Sequence, residues 1–270
     1  MFDPRSIRKG KQPAPRKVII YGSVKQGKST LAGASPNCLM IPTEDRVSHI
    51  DCNKTEVVTN YQEIIDIFKY LKEGTPYKTL VIDSLDWLEF LLHAYVCEKN
   101  GFKSLTDNKD ASVSYGRGLK YFATEQWKDF LYNLDILREE QKMSIVLVAH
   151  STVEKVSPPD SDGYDRYTLK LDKNAVSVLT EWVDVIAFYN KEIFVKKEDA
   201  GFNKQKGKAI QVDDTRLLHM EATNPAWLSG NSFGLGIAEV KLDNVAEVMN
   251  YILTGENIIE EQSKPVKKTK

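Results

Sequence analysis

The sequence predicts an α/β protein with a mostly parallel central sheet, flanked by helices and extended by antiparallel strands. In the first half of the chain, short β-branched runs alternate with longer segments of helical periodicity, which is the pattern of βαβ units. Each run ends in polar or glycine-rich sequence, where such sheets place their chemistry. The second half has shorter strand-like pieces, which favours antiparallel strands that extend the sheet.

Four apolar runs are the predicted parallel strands, at residues 18–21, 38–41, 79–83 and 144–149. Short apolar runs bounded by polar sequence are typical of strands buried on both faces. Between them, apolar residues recur with a period of 3.6, which indicates helices that pack one face on the sheet. These stripes are Ile64, Ile65, Phe68 and Leu71; Leu85, Leu88, Leu92 and Val96; and Leu119, Phe122, Phe130, Leu134 and Leu137.

The pattern changes after residue 151, and no repeat or linker divides the chain. The later elements that we predict are strands at 167–171, 183–189, 193–195 and 216–220 and a closing helix at about 244–253.

The formal charge of −1, from 37 basic and 38 acidic residues, is an average over unlike parts. Residues 1–17 carry +5 and residues 261–270 carry +3, so the remainder carries −9. Both terminal segments are poor in large apolar residues and cannot offset the entropy cost of ordering by burial. We therefore expect flexible basic arms at 1–17 and 261–270 around one domain, 18–260.

The composition excludes several classes of protein. Hydrophobic residues make up 41% of the chain and charged residues 28%, which excludes collagen-like and globally disordered proteins. The three cysteines include no C-x-x-C pair, which disfavours a disulfide framework or a zinc finger. The first 17 residues lack the apolar core of a secretory signal, and the most apolar stretch, 85–96, is too short to cross a bilayer. The sequence thus predicts a cytoplasmic protein without a membrane partner.

The most specific motif is Gly22-Ser23-Val24-Lys25-Gln26-Gly27-Lys28-Ser29, which fits the P-loop pattern G-x-x-x-x-G-K-[ST]. It lies between a predicted strand and a helical start, which is the context that the motif requires. Backbone N–H groups of such a loop surround phosphates, while the lysine reaches the β/γ oxygens and the hydroxyl binds Mg²⁺. The sequence therefore predicts a site for ATP and Mg²⁺ that is formed by Gly22, Ser23, Val24, Lys25, Gln26, Gly27, Lys28, Ser29 and Thr30.

A P-loop site also needs an acidic group to hold the metal with Ser29, and Asp83 at the end of the third strand supplies it. Because Ser84, and not a glutamate, follows Asp83, the carboxylate that activates water must come from elsewhere. Glu44, just past the second strand, is our candidate for that base. The alternative for Glu44 is a solvated turn residue.

Together these residues resemble the RecA-type ATPase core. The shared features are the P-loop, Glu44 after the second strand, Asp83-Ser84 after the third, and His150 at the end of the fourth. More closely, the chain resembles the small phage-encoded RecA-like ATPases of AAA type, some of which are single-strand annealing proteins. The similarity spans about residues 16–255.

The resemblance implies a RecA-like P-loop NTPase fold in which the fourth strand lies between the P-loop strand and the strand of Asp83. It implies that Lys28 and Glu44 are catalytic, that Glu44 polarises the attacking water, and that His150 senses the γ-phosphate. A histidine at a strand end is otherwise often a core residue. The resemblance also implies a homo-oligomer with ATP at the subunit interfaces.

One stretch departs from the family. Residues 227–233 contain no Lys or Arg that could enter the site of a neighbouring subunit and offset charge on the transferred phosphoryl group. Arg216 is the nearest substitute, although arginines on strands are usually solvated.

RecA-type proteins bind single-stranded DNA through the loops after the third and fourth strands, here 101–118 and 151–166. Both segments mix basic and aromatic residues, which suit phosphates and unstacked bases. A basic turn at 201–208 has the same character. For each segment a solvated loop is the alternative, and three aspartates in 151–166 would repel phosphate. The candidate DNA-binding residues are Arg117, Lys155, Tyr164 and Arg166.

The sequence favours an Mg²⁺-dependent ATPase that acts on single-stranded DNA in phage recombination, by annealing or strand exchange. A single-strand-binding or replication protein is a candidate partner. One alternative is a nucleotide-dependent switch or assembly factor that acts on a protein, which the acidic core favours. Another is a small-molecule phosphotransferase, although an arginine-rich lid is not evident.

Overall fold

The computed structural model describes residues 3, 6–10, 14–199 and 205–256, with the backbone alone for 192–199 and 205–215. The predicted tail at 261–270 and part of the predicted basic turn at 201–208 lie outside the described residues. Within the described part, ten strands form one hydrogen-bonded sheet. They are β1 Lys17–Gly22, β2 Cys38–Pro42, β3 Asn53–Lys54, β4 Thr79–Asp83, β5 Ser144–Val156, β6 Tyr164–Leu169, β7 Val185–Asp199, β8 Gln205–His219, β9 Gly230–Asn231 and β10 Ala238–Val240.

The strands lie in the order β10-β8-β7-β1-β5-β4-β2-β3, while β6 pairs with β5 and β9 with β7. The run from β7 to β3 is parallel, and β8 and β10 are antiparallel additions at one side. The fourth predicted strand, β5, lies between β1 and β4, as the resemblance implies. The predicted fold class, an α/β fold with a mostly parallel sheet, flanking helices and antiparallel extensions, is confirmed.

Helices cover both faces of this sheet. They are α1 Lys28–Gly33, α2 Tyr61–Lys72, α3 Leu85–Asn100, α4 Thr124–Glu140, α5 Lys173–Trp182 and α6 Val245–Thr254. On β1, Ile19 and Tyr21 pack with α2 to α5, whereas Val18 and Ile20 pack with α1 and α6. Successive residues of a strand point to opposite faces, so the continuous apolar run of β1 serves two cores.

The segment 151–166 is largely a β-hairpin and not the expected loop. Strand β5 leaves the parallel sheet after His150 and continues to Val156, where it pairs antiparallel with β6. Val153 and Tyr167 on this ribbon are exposed, so the ribbon buries no continuous apolar face. The sequence therefore lacks the apolar alternation that predicts a strand.

Three other elements differ from expectation. The start of β7 runs parallel to β1 before its later residues pair antiparallel with β8. Helix α5 is absent from the predicted elements and begins after Asp172, whose carboxylate accepts a hydrogen bond from the Asn174 N–H. The helical stripe that begins at Leu119 is a π-helical turn, Gly118–Ala123, which leads into α4. In the described ranges, every helix is too short or too polar to cross a bilayer.

Candidate nucleotide site

The P-loop connects β1 to α1 and packs against residues of β7 and β8. Gly22 has no room for a side chain, because a β-carbon there would overlap the carbonyl oxygen of Tyr189. Gly27 has a φ of +95°, in the left-handed region that favours glycine. A β-carbon on Gly27 would also lie 2.9 Å from Nη1 of Arg216. The local geometry therefore requires both glycines of the motif.

Lys28 is buried at the start of α1. Its Nζ donates hydrogen bonds to the carbonyl oxygens of Gly22 at 3.0 Å and Ser23 at 2.8 Å. Burial lowers the pKa of Lys28, and nearby carboxylates, Asp83 foremost, oppose that shift. The loop thus holds an ammonium group at the position from which a P-loop lysine meets phosphate oxygens.

Asp83 ends β4 with only 3% of its surface exposed. The Ser29 hydroxyl acts to lower the pKa of its carboxyl group, and Oδ2 has no hydrogen-bond partner in the described part of the chain. Burial raises the pKa of Asp83, although Ser29 and Lys28 oppose the shift. A buried carboxylate oxygen without a partner, beside a hydroxyl, is the donor set that a P-loop site offers to Mg²⁺. The residues present therefore fit this cation.

The protein alone supplies few ligands for a metal. Within the described ranges, no group of three or more His, Cys, Asp or Glu side chains could hold a metal ion. A divalent cation at Asp83 would therefore depend on Ser29, on water and on the phosphate oxygens of a nucleotide. Mg²⁺ commonly binds in this way at nucleotide sites.

Thr43 joins the ends of β2 and β4. Its N–H donates to the Asp83 carbonyl oxygen at 2.7 Å. Its hydroxyl accepts from the Ser84 N–H at 2.7 Å and donates to the Ser84 carbonyl oxygen at 2.8 Å. Because Glu44 follows Thr43 directly, these bonds fix the backbone of Glu44 beside Asp83.

The Glu44 side chain is 12% exposed and lines the same cavity as the P-loop. Its Oε1 lies 3.4 Å from the Ser84 Oγ, and its Oε2 lies 3.6 Å from the Arg46 Nε. A carboxylate held in this way can take a proton from a water molecule that attacks a terminal phosphate.

His150 and Asp86 form a partly buried pair beside the cavity. The His150 Nδ1 lies 2.8 Å from Oδ2 and 3.0 Å from Oδ1 of Asp86, and the backbone N–H of His150 donates to Oδ1 at 3.2 Å. Burial alone would raise the pKa of Asp86, but the hydrogen bonds from His150 outweigh it and lower that pKa. The ionised carboxylate therefore accepts from Nδ1–H, which fixes the imidazole and leaves Nε2 for the cavity.

One cavity of about 620 Å³ collects these groups. Its lining includes residues 24–30 of the P-loop together with Glu44, Asp83 and His150, so the structure brings most of the predicted site residues together. Gly22 and Ser23 contribute the carbonyl oxygens that hold Lys28.

Sequence reasoning missed several neighbours of the site. Arg46 and His49, from the segment after β2, line the cavity, and Asp86 holds His150. The one sequence signal for Asp86 is its position three residues after Asp83, in the first turn of α3. An acidic residue there also suits a helix N-terminus, so the signal is weak.

Arg216 lies in the cavity of its own chain. The sequence suggested it as the nearest substitute for a residue that enters a neighbouring subunit. Strand β8 lies beside β7, which in turn flanks β1, and this brings Arg216 to Gly27 of the same chain. The structure therefore places Arg216 in cis.

The hairpin of β5 and β6 holds three of the four candidate DNA-binding residues. Arg166 donates from Nη2 and Nε to the Oε1 of Glu154 at 2.6 and 3.0 Å, so it is paired within the hairpin. Lys155 is exposed and stands opposite Asp165 in the strand register, and Tyr164 is half-buried. Residues 151–169 contain two basic and four acidic residues, a balance that opposes phosphate binding.

The segment 101–121, which follows α3 and includes the start of the π-helical turn, has the opposite balance. It contains four basic and two acidic residues. Tyr115 is 92% exposed, and the exposed Arg117 beside it donates hydrogen bonds to Ser114. The Lys120 Nζ lies 5.3 Å from the ring centroid of Tyr121. This segment presents aromatic rings and cations together, the combination found in proteins that bind single-stranded nucleic acid.

A family model described as AAA domain matches residues 14–219 of the chain. No curated protein sequence matches it. Among solved structures, the crystal structure of the RadB recombinase is similar to this chain with a TM-score of 0.44 and 11% sequence identity, over 84% of this chain and 87% of that chain. A likeness this distant assigns no activity.

Proposed function

The chain belongs to the AAA domain family, and we propose that it is an Mg²⁺-dependent ATPase that acts on single-stranded DNA. Family membership points to nucleotide binding and ATP hydrolysis. The observation that carries the proposal is the convergence of Lys28, Glu44 and Asp83 on one cavity at the carboxyl edge of the sheet. The role of each residue, the metal and the DNA are parts of the proposal.

The hydrolytic step that these residues support is attack by water on the γ-phosphorus of ATP. Glu44 accepts a proton from that water as the new P–O bond forms, and the bond from the γ-phosphorus to the bridging oxygen breaks, which releases ADP. Lys28 stabilises charge on the β- and γ-phosphates. Mg²⁺, held by Ser29 and Asp83, would neutralise phosphate charge when bound. His150, oriented by Asp86, contacts the terminal phosphate through Nε2.

The test of this function is ATP hydrolysis measured with and without single-stranded DNA, in Mg²⁺ and in EDTA. We expect hydrolysis in Mg²⁺, stimulation by DNA, and a loss of about 10²- to 10⁴-fold in the Glu44→Gln variant, which lacks a general base. Glu44→Gln should still bind ATP. Hydrolysis that continues unchanged in this variant would contradict the assignment of the base.

The exposed segment 101–121 supports binding of single-stranded DNA, because it contains aromatic and basic residues close together, such as Tyr115 and Arg117. We propose this segment as the first DNA contact, and Lys155, Tyr164 and Arg166 on the hairpin as a weaker one. The expected setting is recombination by annealing or strand exchange in the cytoplasm of a phage-infected cell, as the resemblance to phage-encoded ATPases implies. Binding should weaken steeply with salt, because counterions are released. An absence of oligonucleotide binding at low salt, with and without ATP, would exclude it.

A second candidate function is a nucleotide-dependent switch that acts on a protein partner, such as a replication protein or a second copy of the chain. The acidic balance of residues 151–169 favours this candidate, because such a surface suits a basic protein better than DNA. It predicts slow turnover and a complex with that partner that forms in ATP and dissociates in ADP. Size measurements in ATP, in ADP and with added DNA separate this candidate from the DNA-dependent ATPase.

A further inference from the structure

Arg216 is a second basic residue at the P-loop, on the side of the sheet away from the hydrolytic groups. Glu44, Asp83 and His150 belong to the ends of β2 and β4 and to β5, which all lie on one side of β1 in the strand order. Arg216 belongs to β8, which lies beyond β7 on the other side. The carboxylates of Glu44 and Asp83 and the guanidinium of Arg216 therefore lie on opposite flanks of the cavity.

The strand register explains how Arg216 reaches this position. Lys191 pairs with Arg216, three residues beyond Phe188, which is level with Tyr21 of β1. Arg216 therefore stands past the edge at which the P-loop leaves β1. Directly before it, four residues of β8, 212–215, face a single residue of β7. Such bulges turn neighbouring side chains in a new direction.

The contact with the P-loop is close. A β-carbon on Gly27 would lie 2.9 Å from the Arg216 Nη1 and 3.8 Å from the Tyr189 hydroxyl. The guanidinium thus packs on a loop whose backbone N–H groups surround the α- and β-phosphates in P-loop proteins. A guanidinium can donate two parallel hydrogen bonds to phosphate oxygens.

We propose that Arg216 binds the α- and β-phosphates of the nucleotide in the site of its own subunit. This inference rests on the proposed function. Because Glu44 and His150 reach the terminal phosphate from the opposite flank, Arg216 contacts the part of the polyphosphate that ATP and ADP share. It therefore contributes to affinity before and after cleavage, and not to the hydrolytic step.

The test compares Arg216→Ala with the wild-type full-length chain, using calorimetric titrations of ATP and of ADP in Mg²⁺ and the turnover rate at saturating ATP. We expect both affinities to fall by about 10- to 100-fold, while kcat stays within about twofold. Arg216→Lys should recover part of the affinity, because a lysine keeps the charge but not the fork. Lys191→Ala is the matched control: it removes a positive charge from the paired strand position, outside the cavity lining, and should leave both affinities unchanged.

Four results would overturn the inference and leave the proposed function standing. Unchanged affinities in Arg216→Ala would show that the side chain does not meet the nucleotide, and a loss for ATP alone would move the contact to the γ-phosphate. Equal losses of affinity in Lys191→Ala would show that the effect comes from the total positive charge and not from a contact of Arg216 with the nucleotide. Recovery of wild-type ATP affinity in a mixture of Arg216→Ala and Lys28→Ala subunits would show that Arg216 acts in trans. A wild-type chain that binds no nucleotide would instead refute the proposed function, and this inference with it.

Discussion

The nucleotide cavity and the β5–β6 hairpin share one strand but use charged side chains in different ways. At the cavity, Lys28 and Asp83 are buried, and the Asp83 Oδ2 has no partner in the described part of the chain. On the hairpin, Arg166 already has its counter-ion, Glu154, at 2.6 Å. Burial of an unpaired carboxylate is costly and persists where a ligand compensates for it. A solvated ion pair contributes little and identifies no ligand.

The largest effect that separates the two regions is expected for Lys28→Ala. This change removes the buried ammonium that meets the phosphates, and we expect ATP hydrolysis to fall by roughly 10²- to 10³-fold or more. Hydrolysis rates and nucleotide titrations measure the loss. Lys69→Ala, at an exposed ion pair on α2, is the matched control and should retain both activities. A Lys28→Ala variant with wild-type turnover would remove the cavity from the mechanism.

The next effect is expected for Asp86→Asn, which keeps the shape of the side chain but removes the charge that orients His150. Loss of a carboxylate that orients a metal-binding histidine costs about 10- to 100-fold. We expect kcat to fall by a similar factor here, while the affinity for ATP changes little. Steady-state kinetics separate the two quantities.

A double-mutant cycle provides the control for Asp86. If Asp86 acts through His150, Asp86→Asn should have almost no further effect in a His150→Ala chain. Additive losses from the two changes would show that Asp86 acts on the cavity in another way, such as by charge on Lys28.

The sequence predicts the nucleotide site better than its surroundings. The P-loop, Asp83 and Glu44 are each adjacent to a strand that its own apolar run identifies, and parallel strands end at one edge, so their meeting follows from local signals. The contributions of Asp86 and Arg216 depend on which strands are neighbours and on a bulge in β8. No local pattern specifies that information.

The hairpin is likewise not predicted by local sequence. Residues 151–156 have no regular alternation of apolar and polar residues, and Pro158 and Pro159 follow them, so the pattern favours a loop. The pairing of Glu154 with Arg166 depends on the strand register. From composition alone, Arg166 is available to DNA, and only the register shows that its charge is already offset.

A smaller effect, confined to DNA binding, is expected for Tyr115→Ala. Stacking of a base on an exposed aromatic ring is worth roughly 1–3 kcal/mol, so we expect single-stranded DNA affinity to fall by about tenfold with no change in the free energy of unfolding. Fluorescence anisotropy with a labelled oligonucleotide measures the affinity. Tyr132→Ala removes another exposed ring, on α4, and should leave binding unchanged. Equal losses of DNA affinity in the two variants would show that the segment 101–121 is not a specific DNA contact.

Glu154→Gln tests whether the hairpin contacts DNA once Arg166 has lost its counter-ion. The change removes the counter-ion of Arg166, and exposed pairs are worth about 0.2–1 kcal/mol, so we expect single-stranded DNA to bind up to about fivefold more tightly, with a steeper salt dependence. Glu125→Gln, which breaks an exposed pair on α4, is the matched control. If Glu154→Gln leaves both the affinity and its salt dependence unchanged, the hairpin does not contact the strand.

Helix α3 connects the two regions. Asp86 in its first turn holds His150 of the cavity, and Glu89, three residues later, accepts hydrogen bonds from the Asp172 N–H at 3.1 and 3.2 Å. Asp172 caps α5, which directly follows the hairpin strand β6. The cavity and the base of the hairpin are thus held by consecutive turns of one helix.

The smallest effect concerns Glu89 and the pH dependence of stability. Burial raises the pKa of Glu89 to about 7, with Asp172 and Asp86 adding to the shift and the hydrogen bond from the Asp172 N–H opposing it. Between about pH 4.5 and 7 the folded chain therefore holds a proton that the unfolded chain has lost. This difference makes the contribution of Glu89 to the free energy of unfolding fall as the pH rises. Glu89→Gln keeps an acceptor for the Asp172 N–H but does not titrate, so its advantage over wild type should grow from pH 5 to pH 7 in urea denaturation. A difference between the two chains that stays constant over this range would show that Glu89 is ionised in the folded protein, and that α3 joins the two regions through a carboxylate.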